Sequence, residues 1–469
     1  MELKPSYYQD TADPHQALSV WEDVSKVLES ALKSCPEAKQ RAFFQVLGNS
    51  NFLARWVRRH PESVAHLLKR DWDHAYGVDA FKKEIKKLMA RISPHAEART
   101  VYEKLLHFKY EHFWRITARD IGLNVPFPVI AAEISHLAET ILEWTYHWER
   151  NRLADEWGEP KGQKKPYHPI PFSLLAMGKL GGQELNYSSD VDLIYVYETD
   201  QARPQRRRQT FTPHEFFSKL AERMGQLLGQ KKPGGFLFRM DLELRPEGAS
   251  GPLANSLEAM EYYYENFGAF WEKQAMIKVN LAGGSPELFK KFHHMIHPFV
   301  YPKTTDYSLL EKVREMKDKV LASVKKSSDK GYHVKLGEGG IREIEFFVQS
   351  LQILYGGQRP ELQSANTLTA IKKIAKAKII SQPVERSLQD AYLFLRTLEN
   401  RLQQVEEQQT HRIPESTEER LQLVRRMGYA QEEADGAMER FEQDLSKHRS
   451  FVQNTFANLL AKRFEDLQK

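Results

Sequence analysis

The sequence predicts an α+β fold, mostly helical, with a small mixed sheet between a helical N-terminal region and a C-terminal helical bundle. Apolar residues recur at three- and four-residue spacing before about residue 157 and again after about 285. Between those limits, short apolar and alternating runs replace the helical pattern. A stretch rich in proline and glycine, WGEPKGQKKPYHPIP, divides the first two regions.

In the N-terminal region (1–157), Leu18, Trp21, Val24, Leu28 and Leu32 make one apolar stripe. Ile130, Ile134, Leu137, Ile141, Trp144 and Trp148 make another. Both are expected to pack rather than to carry chemistry. Residues 158–171 read as a linker. The segment 172–285 is expected to hold the catalytic core. FSLLAMG (172–178), DVDLIYVYE (190–198) and FLFRMDLELRP (236–246) read as strands, and HEFFSKLAERMGQLLGQ (214–230) as a helix. RPQRRRQ (203–209) reads as a solvated loop. Beyond it (286–469), Val384, Leu388, Ala391, Leu395, Leu398, Leu402 and Val405 form a long stripe suited to a bundle.

Composition narrows the function. Hydrophobic residues make up 41% of the 469 residues and charged residues 28%, as in a globular protein with a sizeable core. Cys35 is the only cysteine, which excludes an internal disulfide and a cysteine-based zinc site. It is expected to act as a small hydrophobe. MELKPSYYQD lacks the apolar segment of a secretory signal, and no run approaches the ~18 apolar residues of a membrane span. A cytoplasmic protein without a membrane partner is the expectation. The net charge of +5 is spread rather than massed, which speaks against a nucleic-acid partner.

The chemistry lies in LLAMGKLGGQELNYSSDVDLIYVYE (174–198). Asp190 and Asp192, two apart on a strand, point to one face with Cα atoms roughly 6.6 Å apart. Carboxylates so placed repel unless a cation lies between them, and hard oxygen ligands suit Mg²⁺ (or Mn²⁺). In FRMDLELRP, Arg239, Asp241, Glu243 and Arg245 are expected on one strand face, with Asp241 completing the site. Glu243 is expected either to add a fourth acid or to pair with Arg239 or Arg245. Gly178, Gly181 and Gly182 end the first strand and are expected to bring backbone N–H groups close to phosphate, with Lys179 adding charge.

Strand, glycine turn, Ser189-Asp190-x-Asp192 and a later carboxylate resemble, in that order, the polymerase-β-type nucleotidyltransferase superfamily. Lys179 stands where that superfamily usually has serine. The resemblance implies in-line transfer of AMP between oxygens, with Asp190 and Asp192 bridging two metals and Asp241 binding the one that activates the nucleophile.

A closer resemblance follows. GKLGGQELNYSSDVDLIY (178–195) looks like the signature of the glutamine synthetase adenylyltransferase family. FRMDLELRPEGASGPL (238–253), YYYENFGAFWEKQAMIKV (262–279), KLGEGGIREIEFFVQ (335–349) and AYLFLRTLENRLQ (391–403) resemble its later segments in order. The family carries two catalytic units in tandem, and this chain shows one. GGIREIEF, with Arg342, resembles the adenylyl-removing N-terminal unit. That implies removal of AMP from a modified tyrosine of glutamine synthetase by phosphate, giving ADP. The family also implies ATP for the reverse modification, a PII-type signal protein, and glutamine or 2-oxoglutarate as effectors. Gly178, Lys179, Gly181, Gly182, Ser189 and Arg245 are the candidate nucleotide- and phosphate-binding residues, with Glu243 and Arg342 as further candidates. Competing readings are ATP-dependent adenylylation, a nucleotidyltransferase acting on RNA or an antibiotic, and a binding module with an inactive site.

Overall fold

A computed structural model describes residues 4–461 other than 94–95, 204–210, 231–234, 305, 327–330 and 430–433. Helices dominate both ends, and five short strands lie between them. The strands are β1 (Phe172–Ala176), β2 (Asp190–Tyr197), β3 (Arg239–Asp241), β4 (Ala254–Ser256) and β5 (Asn280–Gly284). The sheet order is β3-β2-β1-β5, and β4 pairs with the far end of β2. β1 runs antiparallel to β2 and β5, whereas β3 and β4 run parallel to β2, so the sheet is mixed as expected.

Side-chain alternation along these strands divides the interior in two. Phe172, Leu174, Val191, Leu193, Tyr195 and Tyr197 face a core built with the N-terminal helices. Leu175, Ile194 and Val196 face a second core built with the C-terminal helices. Each flanking region therefore buries its apolar stripe on one face of the sheet. Trp21, Val24, Leu28 and Leu32 are buried in helix Pro14–Lys33, which starts where the Asp13 side chain accepts the Gln16 N–H. Ile130, Ile134, Leu137, Ile141 and Trp148 are buried in helix Phe127–Trp157. In the bundle, helix Gln382–Gln403 buries Leu388, Ala391, Leu395, Leu398 and Leu402. Cys35 packs partly buried against the first core.

Some expectations need correction. The strand predicted over 236–246 is only Arg239–Asp241, and the chain then turns. β4 and β5 fall where no strand was predicted. The segment 262–279 spans two helices, Leu257–Asn266 and Phe270–Met276. Residues 204–209 of the basic run lie outside the described residues.

The segment after helix Gln382–Gln403 ties distant regions together. The Ser50 hydroxyl donates to Gln404 O at 2.7 Å, Phe52 N–H to Val405 O at 3.1 Å, and Arg55 pairs with Glu406 at 2.6 Å. Tyr110 donates its hydroxyl to Glu407 at 2.8 Å, and Ser188 donates to the Glu407 carbonyl at 2.8 Å.

Candidate active site

β1 ends at Ala176, and Met177 N–H donates to Asp192 O at 2.9 Å, which fixes the following turn against β2. Gly178 has φ of 52° there, and a Cβ on it would meet Asp192 Oδ2 at 2.4 Å. Only glycine meets both conditions. Asp190 and Asp192 open β2, with Val191 between them buried in the core, so both carboxylates lie on the opposite face. β3 pairs in parallel with this end of β2, and its register sets Asp241 beside Asp192 and Arg239 beside Asp190.

The three carboxylates have different surroundings. Asp190 accepts from Arg239 Nε at 3.0 Å and from the Gln409 side chain. Asp241 Oδ1 accepts the Glu243 N–H at 2.8 Å. Asp192 accepts no side-chain hydrogen bond among the described residues. Burial, then the neighbouring Asp241 and Asp190, push its carboxyl up to about 6, with Lys335 and Lys179 opposing. This is an electrostatic setting that a hard cation relieves. No three potential ligands yet lie at metal-binding spacing among the described residues. Asp192 has no competing side-chain donor among the described residues, whereas Asp190 must first exchange Arg239 or Gln409 to take a cation, and Asp241 already accepts the Glu243 N–H.

The cleft around these groups has a volume of about 260 Å³. Gly178, Lys179, Ser189, Asp190 and Asp192 line it from the sheet side. Lys335, Arg342, Gln409 and His411 line it from the C-terminal helical side. Lys179 reaches Glu399 at 2.8 Å, and its ammonium is brought down to about 8 chiefly by burial. Glu399 also accepts from Asn186 at 2.8 Å and pairs with Arg396 at 3.1 Å. His411 Nδ1 lies 2.9 Å from Glu399, outside hydrogen-bond alignment. Burial of Glu399 is outweighed by these cations, which hold its carboxyl well below the ordinary range. Ser189 Oγ accepts from Asn186 N–H at 2.9 Å, fixing the turn before β2.

Other candidates are placed elsewhere. Arg245 is buried, and its guanidinium donates to the carbonyls of Leu242, Ala249, Gly251 and Pro252. It shapes the turn after β3 instead of facing phosphate, because the strand ends before it. Glu243 is exposed and pairs with neither Arg239 nor Arg245, which are engaged by Asp190 and by the turn. A Cβ at Gly181 would meet Lys278 O at 1.8 Å, and one at Gly182 would meet Ala365 O at 3.0 Å. Both glycines admit close backbone packing and neither lines the cleft. Arg342 does line it: its Nε has no hydrogen-bond partner and Glu345 lies 3.7 Å away. Glu345 and Glu343 are held at 3.2 Å by Lys278 and at 3.0 Å by Lys317. Sequence reasoning missed Arg239 as the Asp190 partner, and Lys335, Gln409 and His411 as cleft residues. Only Lys335 carried a signal, as the first residue of the segment KLGEGGIREIEFFVQ (335–349) that resembles the family.

The model of the glutamate-ammonia ligase adenylyltransferase family matches residues 40–295. The chain belongs to this family. A second model, of PII-uridylyltransferase, matches residues 308–460. The adenylyltransferase-family match supplies the sheet wall of the cleft, and the second match supplies Lys335, Arg342, Gln409 and His411. Curated relatives include the bifunctional glutamine synthetase adenylyltransferase/adenylyl-removing enzymes of Thioalkalivibrio sulfidiphilus and Nitrosococcus oceani. The first is 34% identical over 92% of this chain and 43% of the relative, and the second 35% identical over 90% and 42%. The relative from Methylococcus capsulatus is 34% identical over 80% of this chain and 38% of its own length. The chain thus spans less than half of the relatives it matches. No helix among the described residues is long and apolar enough to cross a membrane.

Proposed function

We propose that this chain removes AMP from an adenylylated tyrosine of glutamine synthetase by phosphorolysis. The observation that carries the reading is one cleft holding Asp190 and Asp192 on the sheet wall and the cations Lys335 and Arg342 on the helical wall. Lys335 has no ion pair among the described residues and Arg342 has only Glu345, at 3.7 Å, so both cations can turn to an anionic co-substrate. In the reaction, a phosphate oxygen forms a bond to the AMP phosphorus and the bond from phosphorus to the tyrosyl oxygen breaks. The attacking hydrogenphosphate gives up its proton, the departing tyrosinate takes one up through solvent, and ADP is released.

Asp192 and Asp241, joined by Asp190, are assigned to Mg²⁺ or Mn²⁺, which when bound neutralises charge on the reacting phosphate oxygens. Lys335 and Arg342 orient the attacking phosphate. Gly178 lets the nucleotide approach β2, while Lys179 keeps the turn docked on Glu399. The match of residues 308–460 supports a PII-type signal protein as partner. The family resemblance implies glutamine or 2-oxoglutarate as effectors. Such a reaction belongs in the cytoplasm.

The relatives are named for both directions, so the test pairs them. Adenylylated glutamine synthetase with phosphate and Mg²⁺ is expected to lose the AMP mass and release ADP. Unmodified synthetase with ATP is expected to stay unchanged. AMP gain with pyrophosphate release would instead assign the chain to adenylylation. Full activity in excess chelator would remove the cation from the reading.

A further inference from the structure

Away from the catalytic cleft, a cavity of about 210 Å³ lies between the N-terminal helices and the C-terminal bundle. Arg41, Arg401, Arg425 and Arg426 line it, with Asp10 as the lone acid. Two of these cations are already neutralised: Arg41 pairs with Asp10 at 3.2 Å, and Arg401 grips Asp120 at 2.6 Å. The other two are not. The Arg425 side chain makes no hydrogen bond or ion pair among the described residues, while its backbone N–H closes the preceding helix on Leu421 O and Gln422 O. Arg426 donates only its Nε, to Asn49 O at 3.2 Å, and forms no ion pair there. Asp13 favours its charge, but burial and the nearby Arg401 bring Arg426 down to about 10. The buried side chains of Gln45 and Asn49 add polar groups to the wall.

Two helix ends meet at the same place: Ile121 and Gly122 come from the turn Ala118–Gly122, and Arg425 to Gly428 from a kinked turn in which Gly428 has φ of 97°. We propose that this cavity is a binding site for a small dianion, a phosphate or short dicarboxylate, held by the forks of Arg425 and Arg426. The site lies across one helix from the catalytic cleft: Arg401 faces the cavity, while Gln403, two residues on, lines the cleft and accepts Ser188 N–H at 3.1 Å.

Calorimetric titration of the whole chain with inorganic phosphate, and separately with glutarate, tests this. One probe is expected to bind saturably, and Arg425→Gln is expected to weaken it about tenfold or more by removing one charge-assisted contact. Among the described residues the Arg425 side chain has no partner to lose, so the melting temperature of this variant should stay near the wild-type value. Arg426→Lys, which keeps the charge but not the fork, is expected to weaken binding as well. Binding of phosphate alone names a phosphoryl ligand, and of glutarate alone a dicarboxylate. Phosphate in the catalytic cleft does not touch Arg425, so titrations unchanged in both variants overturn the proposal. No binding of either probe by roughly 10 mM, weaker than two charged contacts provide, overturns it too.

Discussion

Asp192 on β2 and Asp241 on β3 are register partners across a parallel strand pair, with no side-chain donor on Asp192 to soften their repulsion. Asp192→Asn removes that repulsion without changing shape. Turnover is expected to fall about 100- to 1,000-fold or more. The metal-free protein, in contrast, is expected to melt higher at pH 7.5. The Asp192 carboxyl is raised in the folded state, so its ionisation opposes folding fully above about 6 and not at all below the ordinary 3.8. The stability gain of the variant should therefore shrink as pH falls from 6 towards 4. A variant that melts lower than wild type at pH 7.5 would contradict this account.

A second carboxyl gives the same sign at a different place. Glu139 is pushed up to about 7, chiefly by burial, with the Gln183 side chain as its donor. Stability is expected to decline as pH rises from the ordinary 4.5 through 7. Glu139→Gln keeps an acceptor for Gln183 and should gain about 1–3 kcal/mol at pH 8, measured by denaturant unfolding. Equal unfolding midpoints at pH 8 would show that the carboxyl is not held in this way.

Glu399 carries the opposite sign. Its carboxyl is held well below the ordinary 4.5, so its stabilisation is present above that value and is lost as pH falls. Glu399→Gln leaves Lys179 and Arg396 as buried cations without their carboxylate. It is expected to cost about 3–5 kcal/mol and to lower activity by releasing the Gly178–Lys179 turn.

Gly178→Ala separates geometry from charge. The added methyl would press on Asp192 Oδ2 in a backbone conformation that alanine disfavours by about 1–2 kcal/mol. Turnover is expected to drop about 100-fold with little change in far-UV circular dichroism. Wild-type activity in this variant would mean that Asp192 does not need its observed place.

Arg245→Lys examines the corrected role of that residue. Lysine cannot span the four carbonyls, so about 1–3 kcal/mol of stability should be lost while KM for phosphate stays near the wild-type value. A raised KM with unchanged stability would return Arg245 to the phosphate.

What could be read from the chain depended on how local each signal was. β1, β2 and the stripes of Trp21–Leu32 and Leu388–Leu402 carry their own periodicity, and so were legible. Asp190 and Asp192 were legible because two positions along a strand fix a common face. β5 was not: Asn280–Gly284 ends in two glycines, which weaken a strand pattern, and pairing with β1 overrides that. FRMDLELRP over-promised, because its alternation continues into a turn that Arg245 closes through carbonyls. Arg239, Gln409 and His411 meet their neighbours only through tertiary contacts, Gln409 from a different region of the chain than Asp190, and no local pattern encodes that.

The ties from Ser50, Phe52 and Arg55 to residues 404–406 also have a temporal meaning. At ribosomal speeds the early helices wait roughly 20–70 s for those partners to be synthesised. Throughout that interval the docking face of the nascent N-terminal region is open to solvent and to chaperones. Closure of the described fold, and with it delivery of Gln409 to Asp190, must wait until residues 404–409 have left the ribosome.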